Sequence, residues 1–487
     1  MTERNDKSCP GCGFQGIKIP VTSHSKTVRG NGRAAAPNQF GGTNNSWGAV
    51  HRGGGSSVAI APTAPDNQPQ RADSEAAAME PRKLEYIDAL RGWAILLVIL
   101  VHAVLGPTSI DSLRLPPQEM RHALVAPNEL IARIGLGGEA GVQLFFVVSA
   151  LSLTLSWYAR RPSGISGLRD FFLRRFFRVA PMFYFGIVFY LLLFGWGPRE
   201  FAPDGISGRD VALTVFFLHG WWPTAINSVV PGGWSIADEA MFYLILPGLM
   251  PLTRSLTWLI VTTVAAVVAS HVLFAYLALH YPPGWSFPPS LWFTMARRGF
   301  QNQAPNFLFG IVAAAVLLKW PVAESEKSKW HWEGVIAVVL FALMILQYTI
   351  WKNPWVSTTS IFSAGAAALC VLLHRSPIPI LVNPVMARIG RVSFSMYILH
   401  FALLEPAFRS VVTILWMLNG STAVLLPVYY AVLVGATFVA SCITFALIET
   451  PFMTLGRRLV TRLHSQQALS VAAGTSEGLQ QSPERSV

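Results

Sequence analysis

From position 84 onward, long apolar runs alternate with short polar or Pro/Gly-containing breaks. Runs near 91–109, 140–158, 181–197, 238–253, 257–280, 304–320, 333–351, 357–373, 393–413 and 423–448 are long enough to cross a hydrocarbon core of ~30 Å. Inside lipid each backbone N–H and C=O must be bonded within its own segment, so these runs are predicted to be helices. The expected fold is therefore all-α, a polytopic membrane helix bundle of about ten transmembrane helices. A further run at 211–222 is too short to span easily and ends in Pro223 and a Gly-rich loop, so it is expected to be re-entrant. Residues 1–82 are rich in Gly, Ser, Asn, Pro and Ala without apolar periodicity and are expected to be a disordered extension; 461–487 reads as a disordered cytoplasmic tail.

Composition supports lipid as the solvent. Apolar residues make up 52% of the 487 and charged residues 13%, against roughly 25% charged in an average soluble domain. The net charge of +12 admits nucleic acid, an anionic membrane surface or an anionic ligand. Many Lys and Arg, however, sit in short breaks between apolar runs, and no basic groove with interleaved aromatics stands apart from them, which excludes nucleic acid as the expected partner. With the 211–222 run not crossing, Arg160, Arg161, Arg169, Arg174, Arg175, Arg178, Arg388, Arg391, Arg457 and Arg458 all fall on one side. The positive-inside rule makes that side cytoplasmic and puts both termini there, in a plasma or inner membrane. Cys9 and Cys12 have the spacing of half a zinc knuckle, but no second pair follows, so no metal site is expected. Cys370 and Cys442 fall in apolar spans, where a buried thiol is ordinary.

The first span carries the chemistry most open to sequence reasoning. Arg91 and His102 are eleven residues apart. On a helix that returns to within ~20° of the same face at a height difference of ~16 Å. Asp88, three residues before Arg91, shares its face and can pair with it. With Arg91 at the cytoplasmic boundary, His102 lies near the bilayer midplane, where an ionisable group is expected to face the bundle interior or a wet cavity.

An Arg or Lys, ten residues, then His, in a helix reading Asp88-Ala89-Leu90-Arg91-Gly92-Trp93-Ala94, resembles the first helix of the acyltransferase-3 family. Five further pieces resemble that family in order. GEAGVQLFFVVSALS at 138–152 is similar to its second helix, with Gln143 where Asp is frequent and Ala150 where Gly is frequent. Arg175 and Arg178, with Arg174 beside them, resemble an R-x-x-R element, and three spaced guanidinium groups suit a polyphosphate. Trp234, Ser235, Glu239, Phe242 and Tyr243 match a W-S-x-x-x-E-x-x-F-Y pattern, with Asp238 in place of a usually apolar residue. Gly390, Ser393, Ser395, Tyr397 and His400 match a later motif, and Glu449 with Pro451 echoes an E-x-P near the last span.

The resemblance covers about 84–460 and implies a membrane-bound acyltransferase domain at 83–460. It implies transfer of an acyl group, acetyl or similarly short, from acyl-CoA on the cytoplasmic side to a hydroxyl of a carbohydrate, glycolipid or small-molecule acceptor. No cofactor would be bound permanently; acyl-CoA would be a substrate. On that reading Arg91, Arg174, Arg175 and Arg178 hold the CoA phosphates, and His102 acts as general base or transient acyl carrier. Glu239 orients or partners His102, and Asp88, Trp234, Ser235, Tyr397, His400 and Glu449 support the site. A transporter or flippase using the same midplane His and broken segment is the other reading these residues leave open.

Overall fold

The computed structural model describes residues 85–105, 135, 137–320, 335–336, 339, 358–418 and 424–480. The expected extension at 1–82, the Cys9–Cys12 pair and the expected span at 333–351 lie outside the described residues. Among the described residues the regular structure is helical: α1 (Glu85–Leu105), α2 (Ala140–Arg160), α3 (Gly164–Phe194), α4 (Gly208–Val215), α5 (Trp234–Leu249), α6 (Leu256–Leu279), α7 (Pro289–Arg298), α8 (Phe300–Lys319), α9 (Thr358–Arg375), α10 (Pro384–Arg391), α11 (Ser393–Met417), α12 (Leu425–Thr444) and α13 (Thr450–Gln480). A π-helical turn, Phe445–Glu449, joins the last two.

Among the described residues seven helical stretches are long and apolar enough to cross a membrane: Glu85–Leu105, Gly137–Arg160, Gly164–Phe194, Trp234–Arg254, Leu256–Leu279, Ser393–Leu415 and Leu425–Gln466. The runs expected at 304–320 and 357–373 do form helices α8 and α9, but these are not among the seven. Polar side chains dilute them, with Gln301, Asn302, Gln303 and Asn306 in α8 and Thr358, Thr359, Ser360 and Ser363 in α9. The 211–222 region breaks into α4 and a single 3-10 turn at His219–Trp221. At ~1.5 Å per residue, eight residues reach only ~12 Å. α4 starts with a capping box in which Ser207 accepts from the Asp210 N–H and Asp210 accepts from the Ser207 N–H, so its beginning is fixed by local chemistry.

Two expectations change. The arginines at 169–178 were expected in a break before a span at 181–197, yet they lie on the first half of α3, which runs 31 residues through Pro181. Such a helix is ~46 Å long, well beyond a ~30 Å hydrocarbon core, so its basic half can project from lipid while remaining helical. The stretch from 461 was expected to be disordered, but α13 continues as helix to Gln480. Extending an existing helix adds one hydrogen bond per residue without a new nucleation step.

α1 lies between two apolar clusters, and this is what turns its polar residues inward. Ile95, Val98, Ile99 and Ala103 join a cluster with Phe183, Tyr190, Phe242, Met396 and Tyr429. Tyr86, Ile87, Leu90 and Ala94 join another with Val147, Val148, Leu151, Ala314 and Cys370. By contrast α6 leaves Trp258, Val261, Val264, Val268 and Val272 exposed, a face suited to lipid. Between helices in lipid, close packing replaces the hydrophobic drive, and small residues set how near two backbones come. α10 crosses α1 at Gly390 and Gly92: a Cβ at Gly390 would sit 1.7 Å from the Asp88 carbonyl oxygen, and one at Gly92 would sit 2.3 Å from that of Met386. Polar bonds finish the seating of α1: Trp93 Nε1 donates to Leu381 O at 3.0 Å and Tyr430 Oη to Leu96 O at 2.9 Å.

Candidate functional site

α1 is helical without interruption from Asp88 to His102, so the ~16 Å separation of Arg91 and His102 expected from helix rise holds. The polar residues accordingly form two groups, one at each height.

At the Arg91 level, Arg91 Nη1 pairs with Asp88 Oδ1 at 3.3 Å and Nη2 donates to Ser152 Oγ at 3.1 Å. Ser152 in turn donates to the Ser149 carbonyl at 3.0 Å, and Ser149 Oγ donates to Glu239 Oε1 at 2.5 Å. Tyr243 lies in the field of Glu239 as well. Arg91 lies in the field of Arg178, Glu239 and Tyr243, and Arg175 in that of Tyr243, Arg178 and Glu239. α1, α2, α3 and α5 thus each contribute charge or a hydroxyl to one patch. The Arg175 Nε is buried with no partner among the described residues, a donor that an incoming acceptor group could use.

Of the three arginines of α3 expected to act together, Arg174 parts from the other two. Arg178 pairs with Glu449, which also accepts from Ser395 Oγ at 2.5 Å. The π-helical turn delivers Glu449, which is only 1% exposed. Pro451, two residues on, lacks the N–H an α-helical turn would need there, and a wide turn relieves the clash of its ring. Arg174 instead faces Arg160 and Asp170. Of the expected phosphate-binding set, only Arg91, Arg175 and Arg178 gather in one place.

At the His102 level the arrangement fixes a tautomer. His102 Nδ1 is 2.7 Å from the Val98 carbonyl oxygen and 3.3 Å from His400 Nε2. His400 Nδ1 is 3.1 Å from the Met396 carbonyl oxygen. A carbonyl only accepts, so both Nδ1 atoms carry the hydrogen. His400 Nε2 is then the acceptor, and the His102 Nδ1–H is shared between it and Val98. That leaves His102 Nε2 as a lone pair to which no described residue bonds. The ring is half-buried, not sealed, with the Phe401 edge at 4.4 Å between centroids and the His400 ring at 5.0 Å. Glu239, expected to orient His102, makes no hydrogen bond to it among the described residues; the imidazole's side-chain partner is His400.

The remaining expected residues frame this level. Tyr397 Oη donates to the Gly232 carbonyl at 2.9 Å and accepts from Ser235 Oγ at 2.8 Å. Gly232 has φ +77°, and a Cβ there would come within 2.9 Å of the Phe401 ring and 3.2 Å of Tyr397 Oη, so the turn before α5 needs glycine. Trp234, the first residue of α5, stands edge-on to Phe146 at 6.2 Å. Asp238 is buried with neither carboxylate oxygen bonded among the described residues, and nothing in the structure explains it. No group of three or more His, Cys, Asp or Glu among the described residues could hold a metal ion. Ser149 and Ser152 were missed as members of the site, and Tyr243 was matched to the family pattern without being given a role. The signal for the serines was available: two hydroxyls three residues apart, on one face of a largely apolar helix.

Residues 84–446 match the acyltransferase domain family anticipated from the Arg91–His102 spacing. The chain belongs to the acyltransferase-3 family. Relatives within reach are distant. A Staphylococcus aureus (strain COL) protein named as an O-acetyltransferase is 24% identical over 353 residues, 66% of this chain and 53% of the relative. Acyltransferase MdmB of Streptomyces mycarofaciens is 24% identical over 404 residues, 78% of this chain and 95% of MdmB. Peptidoglycan O-acetyltransferase OatA of Listeria monocytogenes is 23% identical over 346 residues, 66% of this chain and 52% of OatA. The chain therefore spans about half the length of the Staphylococcus and Listeria relatives. No solved structure matches it. The acyltransferase-3 match includes both levels of the site except Glu449, which lies just beyond it.

Proposed function

We propose that this acyltransferase-3 chain transfers an acyl group, acetyl in the simplest case, from acyl-CoA to a hydroxyl of a carbohydrate or related acceptor, with His102 as the reacting base. The observation that carries the reading is the open Nε2 of a half-buried imidazole whose Nδ1–H is already anchored. In one concerted sense, Nε2 takes the acceptor hydroxyl proton as the oxygen bonds to the thioester carbonyl carbon. The C–S bond then breaks, and the departing CoA thiolate takes that proton back from the imidazolium. In the other, Nε2 itself bonds to the carbonyl carbon and the C–S bond breaks to release CoA thiolate; the acceptor oxygen then displaces neutral imidazole from the acyl group, and the hydroxyl proton ends on the thiolate. Both start from the same nitrogen.

The donor's phosphates fit the other level. Arg91 and Arg175 offer guanidinium groups beside Glu239, and a bidentate grip there leaves the thin pantetheine arm to cover the ~16 Å of helix rise to His102. Arg178, tied to Glu449, supports the same patch. We place this level at the cytoplasmic face of the plasma or inner membrane, with both termini on that side, because the arginines of α3 and the basic residues of α10 and α13 favour it.

The test is transfer from labelled acetyl-CoA by the purified full chain. His102→Ala should lower turnover by about 10²–10⁴ while donor binding, read separately, persists. Undiminished turnover would remove His102 from the chemistry. A burst of CoA release without acceptor, at one per protein, favours the acyl-imidazole; its absence with intact transfer favours the base.

A further inference from the structure

Among the described residues Arg298, the last of α7, is a guanidinium at the His102 level that the proposed function leaves unused. It lies in the field of Tyr397, Glu139 and Glu200, and its charge acts on His102. Its carbon centre stands 5.8 Å from the Phe201 ring centroid and 5.7 Å from that of Trp234, within cation–π range of both. The neighbouring Arg297 makes a 2.6 Å ion pair with Glu139. Arg298, by contrast, donates no hydrogen bond to any described residue, although it is the more buried of the two. Two aromatic rings lie within cation–π range of it, then, while its N–H groups have no acceptor among the described residues. A guanidinium withdrawn from water without a hydrogen-bonding anion is costly, and its rigid fork matches a carboxylate or phosphate in a bidentate way that a single hydroxyl does not.

We propose that Arg298 is a specificity-determining residue that binds an anionic group, carboxylate or phosphate, on the acceptor and so sets the acceptor hydroxyl against His102. The proposal rests on the acyltransferase reading and deepens it: the acceptor is an acidic sugar or sugar phosphate, not a neutral one. There is also an electrostatic consequence. When the acceptor proton moves to His102, a second cation forms in the field of Arg298. An acceptor anion seated on Arg298 offsets that repulsion, so an acidic acceptor brings with it part of the charge balance its own reaction needs.

The experiment reads binding rather than turnover, so its outcome is independent of whether His102 is catalytic. The full chain in detergent is titrated by calorimetry with methyl glucuronide, glucose 6-phosphate and, as the uncharged control, methyl glucoside. The expected result is saturable binding of at least one anion, at least tenfold tighter than the glucoside, weakening as salt rises. Arg298→Gln should reduce that binding at least tenfold, and Arg298→Lys, which keeps the cation without the fork, should fall between. Glucuronide alone binding assigns a carboxylate, glucose 6-phosphate alone a phosphate. Equal binding of charged and neutral sugars, no anion binding at all, or anion binding that survives in Arg298→Gln overturns the proposal. If Arg298→Gln does not fold, the wild-type contrast between anion and glucoside and the Arg298→Lys titration still decide it. Loss of transfer in His102→Ala together with failed anion binding would leave the acyltransferase reading standing without this one.

Discussion

His400 Nε2 and His102 Nδ1 lie 3.3 Å apart, and hydrogen bonding alone favours His102 as the reacting imidazole in the proposed transfer. His400 has both nitrogens engaged, Nδ1 with the Met396 carbonyl and Nε2 with His102, and is fully buried. His102 has Nε2 open. His400 is therefore a positioning residue: it shares the Nδ1–H with Val98 and keeps the ring from turning. Replacing it with Leu retains bulk and removes the acceptor. The bond lost is neutral, longer than ideal and backed by the Val98 carbonyl, so its net worth is about 0.5–1.5 kcal/mol, or roughly a 2- to 12-fold fall in kcat. That is far below the 10²–10⁴ expected for His102→Ala. The assay is steady-state transfer from labelled acetyl-CoA, with donor KM measured in parallel. His400→Leu should lower kcat at unchanged donor KM, and His400→Gln, whose amide oxygen can accept, should recover most of it. A filler of volume alone would show no such rescue. Were His400→Leu as inactive as His102→Ala, His400 would itself lie on the proton path and the assignment of roles would be wrong; no change at all would deny it any role.

The arginine level gives two further expectations. Glu239→Gln exchanges a charge-assisted bond to Ser149 for a neutral one and removes negative charge beside Arg91 and Arg175; donor KM should change by about tenfold, while the pH profile of kcat stays where His102 puts it. A displaced profile would instead place Glu239 beside the imidazole. Arg178→Ala strands the buried Glu449 carboxylate and should cost about 3 kcal/mol or more of stability, seen as earlier thermal unfolding in detergent, with part of the loss recovered in the Arg178→Ala/Glu449→Gln double variant. Equal unfolding temperatures for Arg178→Ala and the wild type would mean the pair adds nothing.

What could be read in the sequence was what a single helix decides. The Asp88–Arg91 pair and the height between Arg91 and His102 follow from 3.6 residues per turn, and packing of the bundle cannot alter them. Partners that join distant parts of the chain were not legible, because the crossing of two helices, not a local period, selects them: His102 meets His400, 298 positions later, and Glu239 meets Ser149, 90 positions earlier. Glu239 was expected beside His102 because both types suit proton transfer, yet α5 presents it to α2 at the arginine level. The R-x-x-R element marks where local reasoning stops being sufficient. Three residues at ~100° each leave Arg175 and Arg178 ~60° apart around α3, close enough to look like one face but wide enough to reach different neighbours. What separates them is the π-helical turn, which brings Glu449 against α3 and takes Arg178 as its counter-ion. Arg175 keeps a buried Nε with no partner among the described residues. A motif that reads as two equal phosphate ligands thus resolves into one arginine that holds the bundle together and one left with a donor to spare, and only the second has a reason to prefer a ligand.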